Sequence, residues 1–260
     1  MTNIRRLFRR VLIPALLLGA MLPAHAGLIV LSGDTNITNG LDGSFGVPVT
    51  AGNQQFFTNV LGAGSSVLVQ DNCTVCAGSI GTAVSAVNDH YNSLGGVSSS
   101  THAGAITAAA LSGVDLFVSI LPESAFSASE LAALSSFGGS IMFLGENSFA
   151  TAQNNNINAA LAALGSSMSL LNTIFDAGIL TATGAQIAAD PLTAGVSSFV
   201  YGAPTELLVS GGTGLLFGMG GEAFIAYEGG AAAVPEPGML SLLGAGLIGF
   251  GLTRRRRRAR

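Results

Sequence analysis

The chain has 260 residues and a net charge of −4, but its charge is sharply partitioned. All ten basic residues are arginines in the first 26 or last seven positions, whereas thirteen of the 14 acids lie between Gly27 and Ala233. That middle stretch has no lysine or arginine to neutralise phosphates, which excludes nucleic-acid binding, and anionic membrane surfaces would repel it. Cations, neutral glycans and basic partners remain compatible with it.

Residues 1–26 read as a secretory signal peptide. Arg5, Arg6, Arg9 and Arg10 form the basic head, Val11 to Leu22 the short apolar core, and Ala24-His25-Ala26 a small-x-small exit before Gly27. Signal peptidase is the partner that this pattern implies. Residues 27–230 then form one stretch long enough for a single domain with a core.

In chain order, Leu28 to Leu31 predicts a strand beginning at the processing site. The segment Asp34-Thr35-Asn36-Ile37-Thr38-Asn39-Gly40-Leu41-Asp42-Gly43 has the composition of a calcium loop. It lacks the glutamate that an EF-hand carries at its twelfth position, and it reads as a solvated, turn-rich loop. Gln54 to Leu61 has apolar residues at helical spacing, and Val67 to Val69 predicts a second strand. Cys73 and Cys76 are the two cysteines, and in an exported protein a disulfide is their default state. A redox role would need this C-x-x-C at a helix start with a supporting site. A zinc site would need further ligands.

Ser79 to Leu94 predicts an amphipathic helix with His90 on its polar side, ended by Gly95-Gly96. His102 falls in a Ser/Thr-rich loop. Ala103 to Leu111 predicts a small-residue helix, and Val114 to Leu121 a buried strand. Ser127-Ala128-Ser129-Glu130 is a capping-box signature that opens a helix ended by Gly138-Gly139. A strand over Ser140 to Leu144 and a helix over Asn156 to Leu164 follow. Beyond Ser166 the pattern turns to short strands at Thr181–Ile187, Ser198–Tyr201, Leu207–Val209, Leu215–Phe217 and Ala223–Tyr227. Strand–helix alternation with buried-type strands argues for an α/β fold. The expected architecture is a doubly wound, mostly parallel sheet with helices on both faces and the strand-rich last third at one edge.

Ligands of such sheets bind outside the carboxyl ends of the strands. Asp34, Asp71, Glu123, Glu146 and Asn147 each follow a predicted strand. They are therefore the candidate residues of an oxygen-rich cleft suited to calcium or a neutral sugar. Ser148 lies near one strand turn, but its surroundings are not those of an activated serine. A non-catalytic binding or structural role is the leading expectation. The alternative is a hydrolase of surface polysaccharide that uses carboxylates such as Glu123 and Glu146.

Residues 231–260 form a tail. Ala231 to Val234 and the prolines make a stiff, extended approach. The sixteen uncharged residues Gly238 to Thr253 would reach roughly 24 Å as a helix, close to the hydrocarbon core of a bilayer. They predict a single transmembrane helix. The cluster Arg254, Arg255, Arg256, Arg257 and Arg258 would stay cytoplasmic, leaving the domain in the periplasm.

Pro235-Glu236-Pro237, the apolar stretch and the arginine cluster resemble, in that order, the PEP-CTERM sorting signal of Gram-negative bacteria. The resemblance implies cleavage by an exosortase-type protease after an inner-membrane stage, and delivery to the cell surface or exopolysaccharide matrix. Val114-Asp115-Leu116-Phe117-Val118, the helix from Glu130 to Phe137, Gly138 to Gly145 and Asp190 to Val196 resemble the class I glutamine amidotransferase-like superfamily, which implies a flavodoxin-like fold. Catalytic members hold a cysteine nucleophile in the turn that here reads Gly145-Glu146-Asn147-Ser148, so only the fold is carried over.

Overall fold

Five short strands, β1 (Leu28–Ser32), β2 (Ser66–Gln70), β3 (Ser98–His102), β4 (Leu116–Ile120) and β5 (Ser140–Leu144), run parallel in one sheet. The computed structural model describes residues 27–73, 76 and 82–229. The helices are α1 (Ala51–Leu61), α2 (Ala83–Ser93), α3 (Ala128–Ser135) and α4 (Thr151–Ala163). After α4 come β6 (Met168–Leu170), β7 (Ile179–Thr183), β8 (Ser198–Gly202), β9 (Leu207–Val209), β10 (Thr213–Phe217) and β11 (Ala223–Gly229). The main sheet has the order β10-β11-β1-β5-β4-β2-β3, with β11 antiparallel to β1 and β10 antiparallel to β11.

Two-residue periodicity sends alternate side chains of each strand to opposite faces. Val30, Val67, Val69, Val118 and Met142 face Phe56, Phe57 and Val60 of α1 and Val87 and Tyr91 of α2. Ile29, Leu31, Leu68, Phe117, Ile141 and Phe143 face Leu134 of α3 and Ile157 and Leu161 of α4. The connections that step from β1 out to β3 cover one face, and those that step back to β5 cover the other. Right-handed crossovers require this arrangement. The expected mixed α/β architecture with a mostly parallel sheet is therefore present.

Several local expectations need correction. Residues 103–111 form turns rather than a helix, and only Ile106 and Leu111 are buried there. The strand in this region is β3, whose Ser-Ser-Ser-Thr-His sequence has no apolar face and pairs only with β2. His102 therefore sits on an edge strand rather than in a loop. The helix expected from Asn156 begins at Thr151. The segment from Asp34 is not a solvated loop: a turn of 3-10 helix at Asn36–Thr38 and a helical turn at Asn39–Asp42 bury Ile37, Thr38, Asn39 and Leu41.

His90 is not on a solvated face either. It is 7% exposed, against Phe57 and Tyr91, because α2 turns that side onto α1. Of the last-third strands, only β10 and β11 join the main sheet. β6–β9 and β7–β8 form two separate two-stranded sheets. β7 ends at Thr183, and Ile187 makes only a bridge to Leu216. Met168–Leu170, with three residues between turn-forming segments, had no recognisable strand pattern.

Among the described residues no helix is long and apolar enough to cross a membrane. The expected signal peptide over 1–26 and the transmembrane helix of the tail lie outside the described residues.

Candidate functional site

The carboxyl ends of the adjacent strands β1 and β5 bring two of the expected acids together. After Ser32 the chain turns at Gly33, where a Cβ would overlap the Thr205 carbonyl. The Thr205 N–H donates to Gly33 O at 2.8 Å, and the Gly33 N–H donates to Phe224 O at 2.8 Å. Asp34 follows, fully buried. Its Oδ1 accepts from the Asn36 N–H at 2.8 Å, an Asx turn that starts the helical segment. Its Oδ2 accepts from the Gly202 N–H, at the end of β8, at 2.6 Å.

Glu146 lies beyond β5 and is 2% exposed. Asn154 of α4 holds the backbone there: its Oδ1 accepts from the Glu146 N–H at 3.0 Å and its Nδ2 donates to Glu146 O at 2.5 Å. Glu146 Oε1 accepts from the Asn147 N–H at 3.0 Å. Oε2 accepts from the Thr35 N–H at 3.3 Å and from Asn36 Nδ2 at 3.2 Å. Asn36 Nδ2 also donates to Gly202 O at 2.9 Å, so one asparagine touches both carboxyls and the end of β8. Asn147 Nδ2 reaches Ala203 O at 2.8 Å, and Ala203 itself is in the left-handed region at φ 49°.

No lysine or arginine exists between Gly27 and Ala233 to compensate these acids. Burial raises the Asp34 carboxyl to about 7, against the opposing pull of its N–H donors. Burial, and then the charge on Asp34, hold Glu146 well above the ordinary carboxyl range.

The other expected members of the cleft do not join this pair. Asp71 is exposed, and its N–H donates to His102 O at 2.9 Å. Glu123 is exposed and accepts from Gln153 Nε2 at 3.2 Å. Asn147 adjoins the pair, but its side chain is committed to Ala203 O and to the Phe149 N–H. Ser148 is exposed, and its N–H donates to Thr173 O. Among the described residues there is no group of three or more His, Cys, Asp or Glu side chains that could hold a metal ion. The expected open, oxygen-rich cleft is thus replaced by a closed pair, because residues 202–205 lie across the strand ends.

Sequence reasoning missed Asn36, Asn154 and Gly202. The first two stand in runs of polar residues that carry no periodic signal, and a backbone N–H donor has no signature at all. Cys73 and Cys76 are joined in a disulfide with a Cα–Cα distance of 5.2 Å, as the spacing suggested.

Residues 233–258 match the family model described as the PEP-CTERM protein-sorting motif. No curated protein and no solved structure matches the chain, so the amidotransferase-like resemblance gains no support from known proteins. The matched tail includes Pro235, Glu236, Pro237 and the cluster Arg254 to Arg258. This motif implies an exported protein of Gram-negative bacteria that exosortase processes during export.

Proposed function

We propose that the chain is delivered to the cell surface or exopolysaccharide matrix, where the domain over residues 27–230 acts by binding or as a structural component rather than by catalysis. One observation carries the non-catalytic reading. The crevice outside β1 and β5, where an open α/β sheet would take a substrate, is filled by the chain's own residues 202–205. Its two carboxyls are spent on backbone and asparagine N–H groups of the same domain.

The proposed partner is a neutral surface glycan, which the cation-free, acidic domain can approach without charge repulsion. Calcium is the weaker ligand, given the lack of a three-acid cluster among the described residues. We also keep the amidotransferase-like fold as part of this reading, with Glu146 in the turn where catalytic relatives place their nucleophile.

The hydrolase alternative requires carboxyls that a sugar can reach, and Glu146 is 2% exposed. The test uses protein purified from producing cells and mixed with the polysaccharide of the same cells. Co-sedimentation without release of reducing ends is expected. Release of reducing ends that disappears in a Glu123→Gln/Glu146→Gln variant would replace this reading with the hydrolase.

A further inference from the structure

Asp34 and Glu146 present an electrostatic problem that the chain cannot solve with a counter-charge. Both side chains are essentially removed from water, and two ionised carboxylates beside each other in such a place are strongly unfavourable. Five N–H groups point at their oxygens: those of Asn36, Gly202, Thr35 and Asn147, and the Asn36 side-chain amide. All five are neutral donors.

The groups facing the pair from every packed element are equally unable to compensate it. β8 contributes Tyr201, whose hydroxyl donates to Asp176 at 2.7 Å, so the charged group that this residue brings in is another acid. α4 contributes the neutral Asn154 and the turn after β5 the neutral Asn147. β11 contributes the Phe224 carbonyl through Gly33, and the segment beyond β8 contributes Thr205. His90 is occupied with Phe57, Tyr91 and Thr58 on the α1–α2 face, and His102 lies on the edge strand β3. Among the described residues no cationic side chain faces the pair, so a proton is the positive charge that can offset it.

We infer that Asp34 and Glu146 form a proton-dependent clasp. With a proton retained, the pair ties Gly202 and the following residues 203–205 across the ends of β1 and β5. Loss of that proton puts two negative charges into a buried site and releases this segment. The mechanical connection is direct: Asp34 holds the Gly202 N–H, Asn36 holds Gly202 O, and Asn147 holds Ala203 O. Residues 204 and 205 have further ties that the carboxyl pair does not touch: the Thr205 N–H donates to Gly33 O, the Thr173 N–H donates to Thr205 Oγ1, and the Phe175 N–H donates to Pro204 O, so release should be greatest at Gly202 and Ala203. An exported domain experiences the pH of its surroundings, and the clasp would expose the strand-end crevice only on the alkaline side. The inference does not depend on the identity of the domain's ligand.

The sign follows from linkage. A carboxyl that keeps its proton in the folded state but ionises near 4 when unfolded makes stability fall as pH rises, until the folded group also ionises. Unfolded imidazoles are about half neutral at pH 6.5 and about nine-tenths neutral by pH 7.5, so His90 adds an opposing slope only at the low end of the range, and the slope above about pH 7.5 is the one that reports the pair.

The experiment measures denaturant unfolding of the whole purified protein from pH 6.5 to 8.5, together with hydrogen exchange of a peptide covering residues 198–206. The unfolding constant should rise by up to roughly tenfold per pH unit while the folded pair retains its proton. Exchange of the peptide, corrected for the intrinsic pH dependence, should accelerate over the same range. Asp34→Asn and Glu146→Gln should each flatten both profiles. Infrared spectra of the wild type should show a protonated-carboxyl band at pH 6.5 that fades by pH 8.5. A wild-type stability that is flat or rising across this range, or the absence of that band at pH 6.5, overturns the clasp even if neither variant folds. A Glu146→Gln variant that folds and keeps the full wild-type slope also overturns it.

Discussion

Asn53 of α1 and Val200 of β8 exchange two hydrogen bonds: the Val200 N–H donates to Asn53 Oδ1 at 2.8 Å, and Asn53 Nδ2 donates to Val200 O at 2.9 Å. The asparagine thus acts as a strand neighbour for β8, from a helix 147 residues earlier in the chain. Its Nδ2 also donates to Ile37 O at 2.8 Å, and its Oδ1 accepts from Thr50 Oγ1 at 2.7 Å. One fully buried side chain therefore fixes the position of β8, whose last residue donates its N–H to Asp34.

Asn53→Ala should lower stability by about 3 kcal/mol, because it strands several buried backbone groups without partners. Asn53→Leu should be at least as damaging, since it adds volume without restoring a donor or acceptor. Chemical denaturation of each variant checks this, and a loss below about 1 kcal/mol would show that β8 is held mainly by apolar packing.

The capping box of α3 gives a smaller, local prediction. Ser127 Oγ accepts from the Glu130 N–H, and Glu130 Oε2 accepts from the Ser127 N–H at 2.8 Å. Ser127→Ala should cost about 1 kcal/mol. Glu130→Ala should cost more than a cap alone, because Oε1 also accepts from the Ile106 N–H at 3.0 Å and so ties down the turns before β4. The two losses should be less than additive in a double mutant.

Reducing the Cys73–Cys76 disulfide should have little effect. It links residues three apart, so it removes little loop entropy from the unfolded chain, about 2 kcal/mol at most. Cys73→Ser/Cys76→Ser should fold and shift the denaturation midpoint only modestly. A failure to fold would give the bridge a larger role.

Burial holds the His90 imidazole below its ordinary range, since the ring is packed against Phe57 and Tyr91. A folded histidine that resists protonation leaves stability intact above about pH 6.5 and lowers it as pH falls below that value, where the unfolded chain takes up a proton. The carboxyl pair contributes the opposite slope in the same range. The measurement is therefore the difference between wild type and His90→Gln from pH 7 to 5. The wild type should lose stability relative to the variant as the pH falls, and parallel profiles would count against the assignment.

The mass of the protein from its own cells tests the sorting route. A species beginning at Gly27 and ending near Pro235 to Pro237, found outside the inner membrane, is expected. A mass running through Arg260 and confined to the inner membrane would make the tail a plain anchor.

The sequence alone carried the sorting motif of the tail and much of the framework. The Pro-Glu-Pro, apolar and arginine series is a linear signal whose meaning lies in residue order, and the basic head, apolar core and small-x-small exit of residues 1–26 are expected to be another. The buried strands at Leu28, Val67, Val114 and Ser140, and the Ser127 cap, were legible for a similar reason. Two-residue and 3.6-residue apolar periods and a four-residue capping box are local. β3 was hidden because an edge strand of serines and a threonine needs no apolar face, only a partner.

The site depended on tertiary structure. Asp34, Glu146 and Gly202 lie far apart in the chain, and the register of β1 on β5 together with the return of β8 decides that they meet. Reading acids after strands selected Asp34 and Glu146 but also Asp71 and Glu123, which the same sheet leaves exposed. Strand ends alone cannot say which crevice the chain will cover. That was decided by residues 202–205, whose contribution is made by backbone groups that every residue type shares.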